Sequence, residues 1–184
     1  MKEEDAEQLI NRSRQGDKKS FELLIVAYQS MVYRLAFRLL CDEDDAKDIV
    51  QETFIKIWFH LDRYKSEYKF STWIYKIASN LAYDRLRSQK HISQGTEPEA
   101  VADALNIAFS ENTEERLINK DLKKIILYFT RELPPKQKLV FTLRDIEELE
   151  AVEVERITGM SAEKIKSNLY LARKNIREKL ETLI

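Results

Sequence analysis

The chain has 184 residues, with 31 Lys and Arg against 32 Asp and Glu and a formal net charge of −1. That length gives one or two compact domains, and 34% charged with 43% hydrophobic residues is the composition of a folded, water-soluble chain. Cys41 is a single cysteine and cannot close an internal disulfide, two histidines leave too few soft ligands for zinc, and the scattered Gly16, Gly95 and Gly159 exclude a phosphate-binding loop or dinucleotide fingerprint.

The start, Met1-Lys-Glu-Glu-Asp5, is acidic where a secretion signal is basic and then apolar. No apolar run approaches the ~18 residues of a membrane span, so a reducing cytoplasm is the expected setting. Between Gly16 and Gly95 neither Gly nor Pro occurs, and apolar residues recur at steps of three and four. Phe21, Leu24, Tyr28, Val32, Leu35 and Leu39 mark a first helical stripe. Ile49, Phe54, Ile57, Trp58 and Leu61 mark a second, and Trp73, Ile77, Leu81 and Leu86 a third. Strand-like alternation is missing, so an all-helical bundle is expected.

Residues 93–112 change character, with Gly95, Pro98, four acidic residues and no Lys or Arg. They are expected to form a flexible linker, with a short helix allowed at 101–108. As a coil it would average roughly 25 Å end to end and reach about 66 Å extended. The sequence therefore leaves the orientation of the two halves open. Leu117, Leu122, Ile125, Ile126 and Phe129 open the second half, which breaks at Leu133-Pro-Pro-Lys136, where Pro135 suits the first turn of a new helix. Val140, Leu143 and Ile146 lead to an acidic corner. Residues 151–158, then Gly159-Met160-Ser161, then a long helix from Ala162 have the layout of a helix-turn-helix. Gly159 supplies the left-handed turn and Ser161 a cap.

Two stretches are locally basic. From Ser161 to Leu180 six basic residues face two acidic ones around a buried stripe of Ile165, Leu169, Ala172, Ile176 and Leu180. A recognition helix in the major groove uses such a surface for phosphates and guanine edges, although a charge run alone is more often a solvated face. From Asp62 to Lys90 there are seven basic and three acidic residues interleaved with Tyr64, Tyr68, Phe70, Trp73, Tyr75 and Tyr83. Cations with aromatic faces suit unstacked bases, while several of these rings can equally be core. The acidic cluster at Asp42-Glu-Asp-Asp45, Asp48 and Glu52 contains Asp44-Asp45-x-x-Asp48, the pattern of magnesium-dependent prenyl-diphosphate and terpene synthases. The second acidic motif of such enzymes is absent, and acidic residues at a helix start also complement the helix dipole.

The segment Asp45-Ala-Lys-Asp-Ile-Val-Gln-Glu-Thr-Phe-Ile-Lys-Ile-Trp58 resembles the core-polymerase-binding segment of bacterial sigma factors. Ser71-Thr-Trp-Ile-Tyr-Lys-Ile-Ala-Ser-Asn-Leu-Ala-Tyr-Asp-Arg-Leu-Arg87 is similar to the adjoining promoter-melting segment. Leu133-Pro-Pro-Lys-Gln, Gly159-Met-Ser, Lys166-Ser167 and Ala172-Arg-Lys174 resemble sigma region 4. Regions 2 and 4 with a short linker is the layout of the extracytoplasmic-function group.

The resemblance implies two helical domains, region 2 at 1–92 and region 4 at 113–184, joined by the linker at 93–112. It implies an alternative sigma factor, not an enzyme, that needs no cofactor or metal and no small-molecule substrate. Asp48, Gln51, Glu52, Ile55 and Trp58 would bind core RNA polymerase, docking on the β′ clamp helices, with the β subunit as a further contact. Tyr64, Lys65, Tyr68, Lys69, Phe70, Trp73, Lys76 and Asn80 would capture the −10 element. Ser161, Lys164, Lys166, Ser167, Asn168, Tyr170, Arg173, Lys174 and Arg177 would read the −35 element of promoter DNA. An anti-sigma factor is a further implied partner. The chain departs from the family pattern at Glu150, Glu155, Asn168 and Leu171. The alternatives are a polymerase-independent helix-turn-helix regulator and, on Asp44, Asp45 and Asp48 alone, a magnesium-dependent helical synthase.

Overall fold

The computed structural model describes residues 3–89 and 128–181. The linker expected at 93–112 and the stripe at Leu117–Ile126 lie outside them. Every described element is helical.

Helix α1 (Glu3–Arg14) ends at Gly16, whose φ of 88° carries the chain into α2 (Lys18–Leu40). Asp17 caps α2, accepting from the Lys19 and Ser20 amides at 3.0 and 3.4 Å and from the Ser20 hydroxyl at 2.8 Å. These bonds, the hydroxyl's first, hold its carboxyl below the usual range. By length and composition alone α2 is apolar enough to cross a membrane, contrary to the expectation that no such run exists. Phe21, Leu24, Val32, Leu35, Leu39 and other residues of α2 are buried against α1, α3 and α4, the arrangement of a core helix. Cys41 closes it in the left-handed region, φ 57°, its amide bonded to Phe37 O at 2.8 Å.

Asp42 then caps α3 (Glu43–His60) through the Asp45 amide at 2.8 Å, and the first turn is acidic as the helix dipole favours. A 3-10 turn (Leu61–Arg63) and a loop lead to α4 (Phe70–Gln89). The α4 stripe differs from the expected one by a residue. Ile74, Ala78 and Ala82 are fully buried, whereas Trp73, Ile77 and Leu81 are half-buried at the margin. Two of these buried positions are alanines, and small residues carry little weight in a hydropathy reading.

Residues 128–131 are helical and precede the Pro134-Pro135 break. Pro135 opens α5 (Pro135–Phe141) at its first turn, where a missing amide hydrogen costs nothing. A π-helical turn (Thr142–Ile146) and a corner with Glu148 at φ 55° precede α6 (Ala151–Thr158). Gly159, at φ 68°, donates its amide to Glu155 O at 2.8 Å. Helix α7 (Ala162–Glu181) follows, with Ser161 O accepting from the Ile165 amide at 3.0 Å. Glu155 is half-buried, while Val154 and Ile157 fill the α6 core positions.

The two halves share one core. Leu139, Val140, Leu143, Val154, Ile157 and Ile165 join the cluster formed by α2, α3 and α4, each such burial contributing about 1.5–3 kcal/mol. A smaller cluster of Phe129, Leu133, Phe141, Ala172 and Ile176 holds α7 to α5. Polar contacts tighten the junction. Tyr75 Oη donates to Glu147 Oε2 at 2.7 Å, and Arg38 pairs with the other oxygen. The relative orientation left open by the linker is thus determined by packing between α4 and α5–α6.

Candidate polymerase and nucleic-acid interfaces

The first surface is an apolar groove of about 570 Å³ between α2 and α3, lined by residues including Phe21, Ile25, Gln51, Ile55, Trp58 and Phe59. Gln51 and Ile55 are exposed and Trp58 is half-buried against Phe21, ring centroids 4.8 Å apart. Asp48 is exposed one turn before Gln51 and Glu52. Glu52 is less free than its sequence neighbours: Arg85 Nη2 reaches it at 3.3 Å while Nη1 holds Asp45 at 2.5 Å. Phe59 is the residue the sequence reading missed. It is 74% exposed, one turn after Ile55, and that spacing off the buried stripe was its available signal. Phe59 and Ile55 lie together on this apolar groove, and a contiguous exposed apolar patch, unlike a single exposed ring, marks a surface for a partner.

The second surface is the loop before α4 together with one face of that helix. A cavity of about 320 Å³ is lined by Ile10, Tyr28, Tyr64, Glu67, Tyr68, Lys69 and Phe70 among others. Tyr64 and Phe70 are buried in its floor, with centroids 5.0 Å apart, and each packs on Trp73 at 5.5 and 5.8 Å. Tyr64 Oη donates to Tyr68 O at 2.7 Å, fixing the loop's curvature. These three rings therefore build the platform, and Tyr68, 43% exposed, is the one that offers a face. Lys65, Lys69, Lys76 and Asn80 are exposed, and Lys69, Trp73, Lys76 and Asn80 fall at helical steps along one face.

Helix α6 lies over part of this face. The Arg156 guanidinium sits 4.1 Å from the Tyr68 ring centroid. Glu153 accepts from Thr72 Oγ1 at 3.2 Å and stands 4.0 Å from Lys69 Nζ. Its carboxylate also takes the Glu150 amide at 3.3 Å, so one side chain caps α6 and holds α4.

The third surface is α7. Ser161, Lys164, Lys166, Ser167, Tyr170, Lys174 and Arg177 are exposed, Asn168 is half-buried, and its amide donates to Lys164 O at 2.7 Å. Lys174 lies 3.7 Å from Glu178. Arg173 is exposed too, but its fork is engaged: Nε and Nη2 donate to both Asp145 oxygens at 2.8 and 2.7 Å. That bidentate pair raises the guanidinium's proton affinity and braces α7 on the π-helical turn. Arg177 shows the open fork.

The acidic cluster is dispersed into local structure. Asp42 caps α3, Asp44 pairs with Lys47 at 3.3 Å and Asp45 with Arg85. Among the described residues no three His, Cys, Asp or Glu side chains converge as metal ligands would.

Family models for Sigma-70 region 2 and Sigma-70, region 4 match residues 24–92 and 123–176. The chain belongs to the sigma-70 family. The relatives it resembles place it in the extracytoplasmic-function group. It is 29% identical over 180 residues to the ECF RNA polymerase sigma factor SigW of Bacillus subtilis, covering 95% of this chain and 96% of the relative. It is 32% identical over 182 residues to the ECF RNA polymerase sigma-E factor of Escherichia coli, covering 96% and 94%. Solved structures share the fold. CnrH, in complex with the cytosolic domain of CnrY, aligns with a TM-score of 0.69 at 18% identity, over 97% of this sigma factor and 98% of that chain. The sigma factor RpoE of Bartonella quintana, in complex with the anti-sigma factor NepR, aligns at 0.66 and 18%, over 89% and 98%.

Proposed function

We propose that this alternative sigma factor binds core RNA polymerase through the α2–α3 groove and directs initiation by reading the −10 element with region 2 and the −35 element with region 4. The observation that carries the reading is the order of the two matched regions, each coinciding with a surface of the right chemistry. Gln51, Ile55, Trp58 and Phe59 present an apolar face for a helical partner such as the β′ clamp, flanked by Asp48 and Glu52. The cavity beside Tyr68 and the Lys69–Asn80 face receive a base unstacked after melting. Helix α7 enters an intact major groove, which needs no strand separation.

Region 2 would span 1–92 and region 4 113–184, with 93–112 connecting them. The protein acts as a specificity subunit and not an enzyme, in the cytoplasm where polymerase meets DNA, and an anti-sigma factor is its expected regulator. Transcription with purified core polymerase on a promoter library, with and without the chain, tests the reading. Defined start sites that require both components are expected. A chain that bound promoters specifically without polymerase would instead be a stand-alone regulator, a reading the total charge of −1 disfavours because duplex affinity follows phosphate neutralisation.

A further inference from the structure

Lys138 of α5 is 2% exposed, an unusual place for a lysine. Its Nζ lies 3.7 Å from Cys41 Sγ, and among the described residues no oxygen acceptor shares it. Burial pushes its amine toward the neutral form. Cys41 is partly exposed at the end of α2, its thiol 3.9 Å from Arg38 O. The two side chains belong to different halves of the molecule, Cys41 to region 2 and Lys138 to region 4. A leucine or methionine would fill the Lys138 site without the cost of burying an amine.

The geometry points to Cys41–Lys138 as a peroxide-responsive cross-linking site between regions 2 and 4. In the first step Cys41 Sγ attacks hydrogen peroxide. An S–O bond forms, the O–O bond breaks, sulfur is oxidised by two electrons, and the thiol proton leaves with the second oxygen as water. In the second, the Lys138 Nζ lone pair attacks the sulfenic sulfur. An S–N bond forms, the S–O bond breaks, and hydroxide departs with an amine proton as water. The net change is one peroxide reduced to two waters and two hydrogens lost from the protein. Two equivalents of an external thiol reverse it, yielding thiol, amine and an external disulfide. Only the flexible lysine stem has to move, because Nζ already faces the sulfur.

The functional consequence rests on the sigma-factor reading. The link ties together the arrangement in which Glu153 and Arg156 sit on Thr72, Lys69 and Tyr68, so it holds region 4 over the −10 face and suppresses initiation until it is reduced.

The experiment treats the full chain with hydrogen peroxide and maps its peptides by mass spectrometry beside transcription assays with core polymerase. The expected product is a linked pair of peptides containing Cys41 and Lys138, lighter than their sum by two hydrogens, removed by dithiothreitol and absent from Cys41→Ser and Lys138→Met. Wild-type activity should fall several-fold on treatment and return on reduction, while both variants keep theirs. Cys41 sulfinic or sulfonic acid without a linked pair would overturn the proposal, as would a linked pair with transcription unchanged. If untreated chain supports no transcription, the sigma-factor reading fails, and the peptide map still decides whether the link forms.

Discussion

Tyr75 Oη donates to Glu147 Oε2 at 2.7 Å across the junction of the two regions. Glu147 comes from the corner after the π-helical turn, and its other oxygen is taken by Arg38 of α2. One carboxylate, its side chain 8% exposed, is thus held by two region 2 residues. Alongside it, Arg156 and Glu153 of α6 contact Tyr68 and Lys69, two of the residues proposed to meet the −10 element.

Glu147→Ala should loosen this junction. It strands Arg38, and removing one partner of a buried ion pair costs about 3–5 kcal/mol. Urea denaturation should show that loss, and the variant should bind single-stranded −10 DNA more tightly than wild type because Tyr68 and Lys69 are released. Equal single-strand affinity would mean that α6 does not obstruct the −10 face.

Alkaline pH tests the same contact. Burial, then the Glu147 charge, raises the Tyr75 hydroxyl above its ordinary value of 10.0. A raised group contributes stability that is fully present below the unfolded value and declines as pH climbs past it. Wild type should therefore lose stability relative to Tyr75→Phe above about pH 10, measured by paired urea melts. The difference isolates Tyr75 from Lys138, whose lowered value acts with the opposite sign. Parallel curves for the two proteins would remove Tyr75 from the pH response.

Much of this architecture was legible in the chain. The helical periodicity, the Pro134-Pro135 break and Gly159 with Ser161 marked the two regions and the turn, because each is a local rule of backbone chemistry. The α4 register differs by one residue from the periodicity because the fully buried positions include Ala78 and Ala82, while the larger Ile77 and Leu81 sit at the margin. Arg173 looked like a base-reading fork, and only the fold shows Asp145, distant in sequence, occupying it. Tyr64 and Phe70 looked like stacking faces but are floor, a distinction that depends on burial and not on residue type. The docking of region 4 on region 2 had no local signal, since its contacts join residues such as Arg38 and Glu147 that lie far apart in the chain.

Polymerase docking should depend on the exposed apolar residues. Ile55→Ala and Phe59→Ala together should weaken core binding by at least about 2 kcal/mol, the scale of an interface hot spot, with little change in melting temperature because both side chains face solvent. Gln51→Ala is the clean polar test, whereas Glu52→Ala also removes a partner of Arg85. Unchanged affinity in a core titration would move the docking surface elsewhere.

On α7, Arg177→Ala should cost about 1–3 kcal/mol at one −35 base pair and relax preference there. Lys166→Ala should weaken all duplexes alike and lower the salt slope by about one unit. Arg173→Ala should instead destabilise region 4, and Asp145→Ala should reproduce it. Base-preference profiles beside thermal melts separate the three.

Asn80→Ala and Tyr68→Ala should impair opening of duplex promoters and alter −10 preference without touching −35 preference. On a pre-melted template lacking the −10 base, each should match wild type.

Promoter choice by core RNA polymerase is proposed to depend on two separate DNA contacts of this chain. The most direct measurement is start-site mapping of transcripts from purified core polymerase with the full chain, on templates mutated at −35 or −10. Discrete transcripts that need both proteins are expected, with Arg177→Ala insensitive to a −35 mutation and Asn80→Ala insensitive to a −10 mutation. Identical transcripts from core polymerase alone, or exchange of those two sensitivities, would rule out the two-contact assignment.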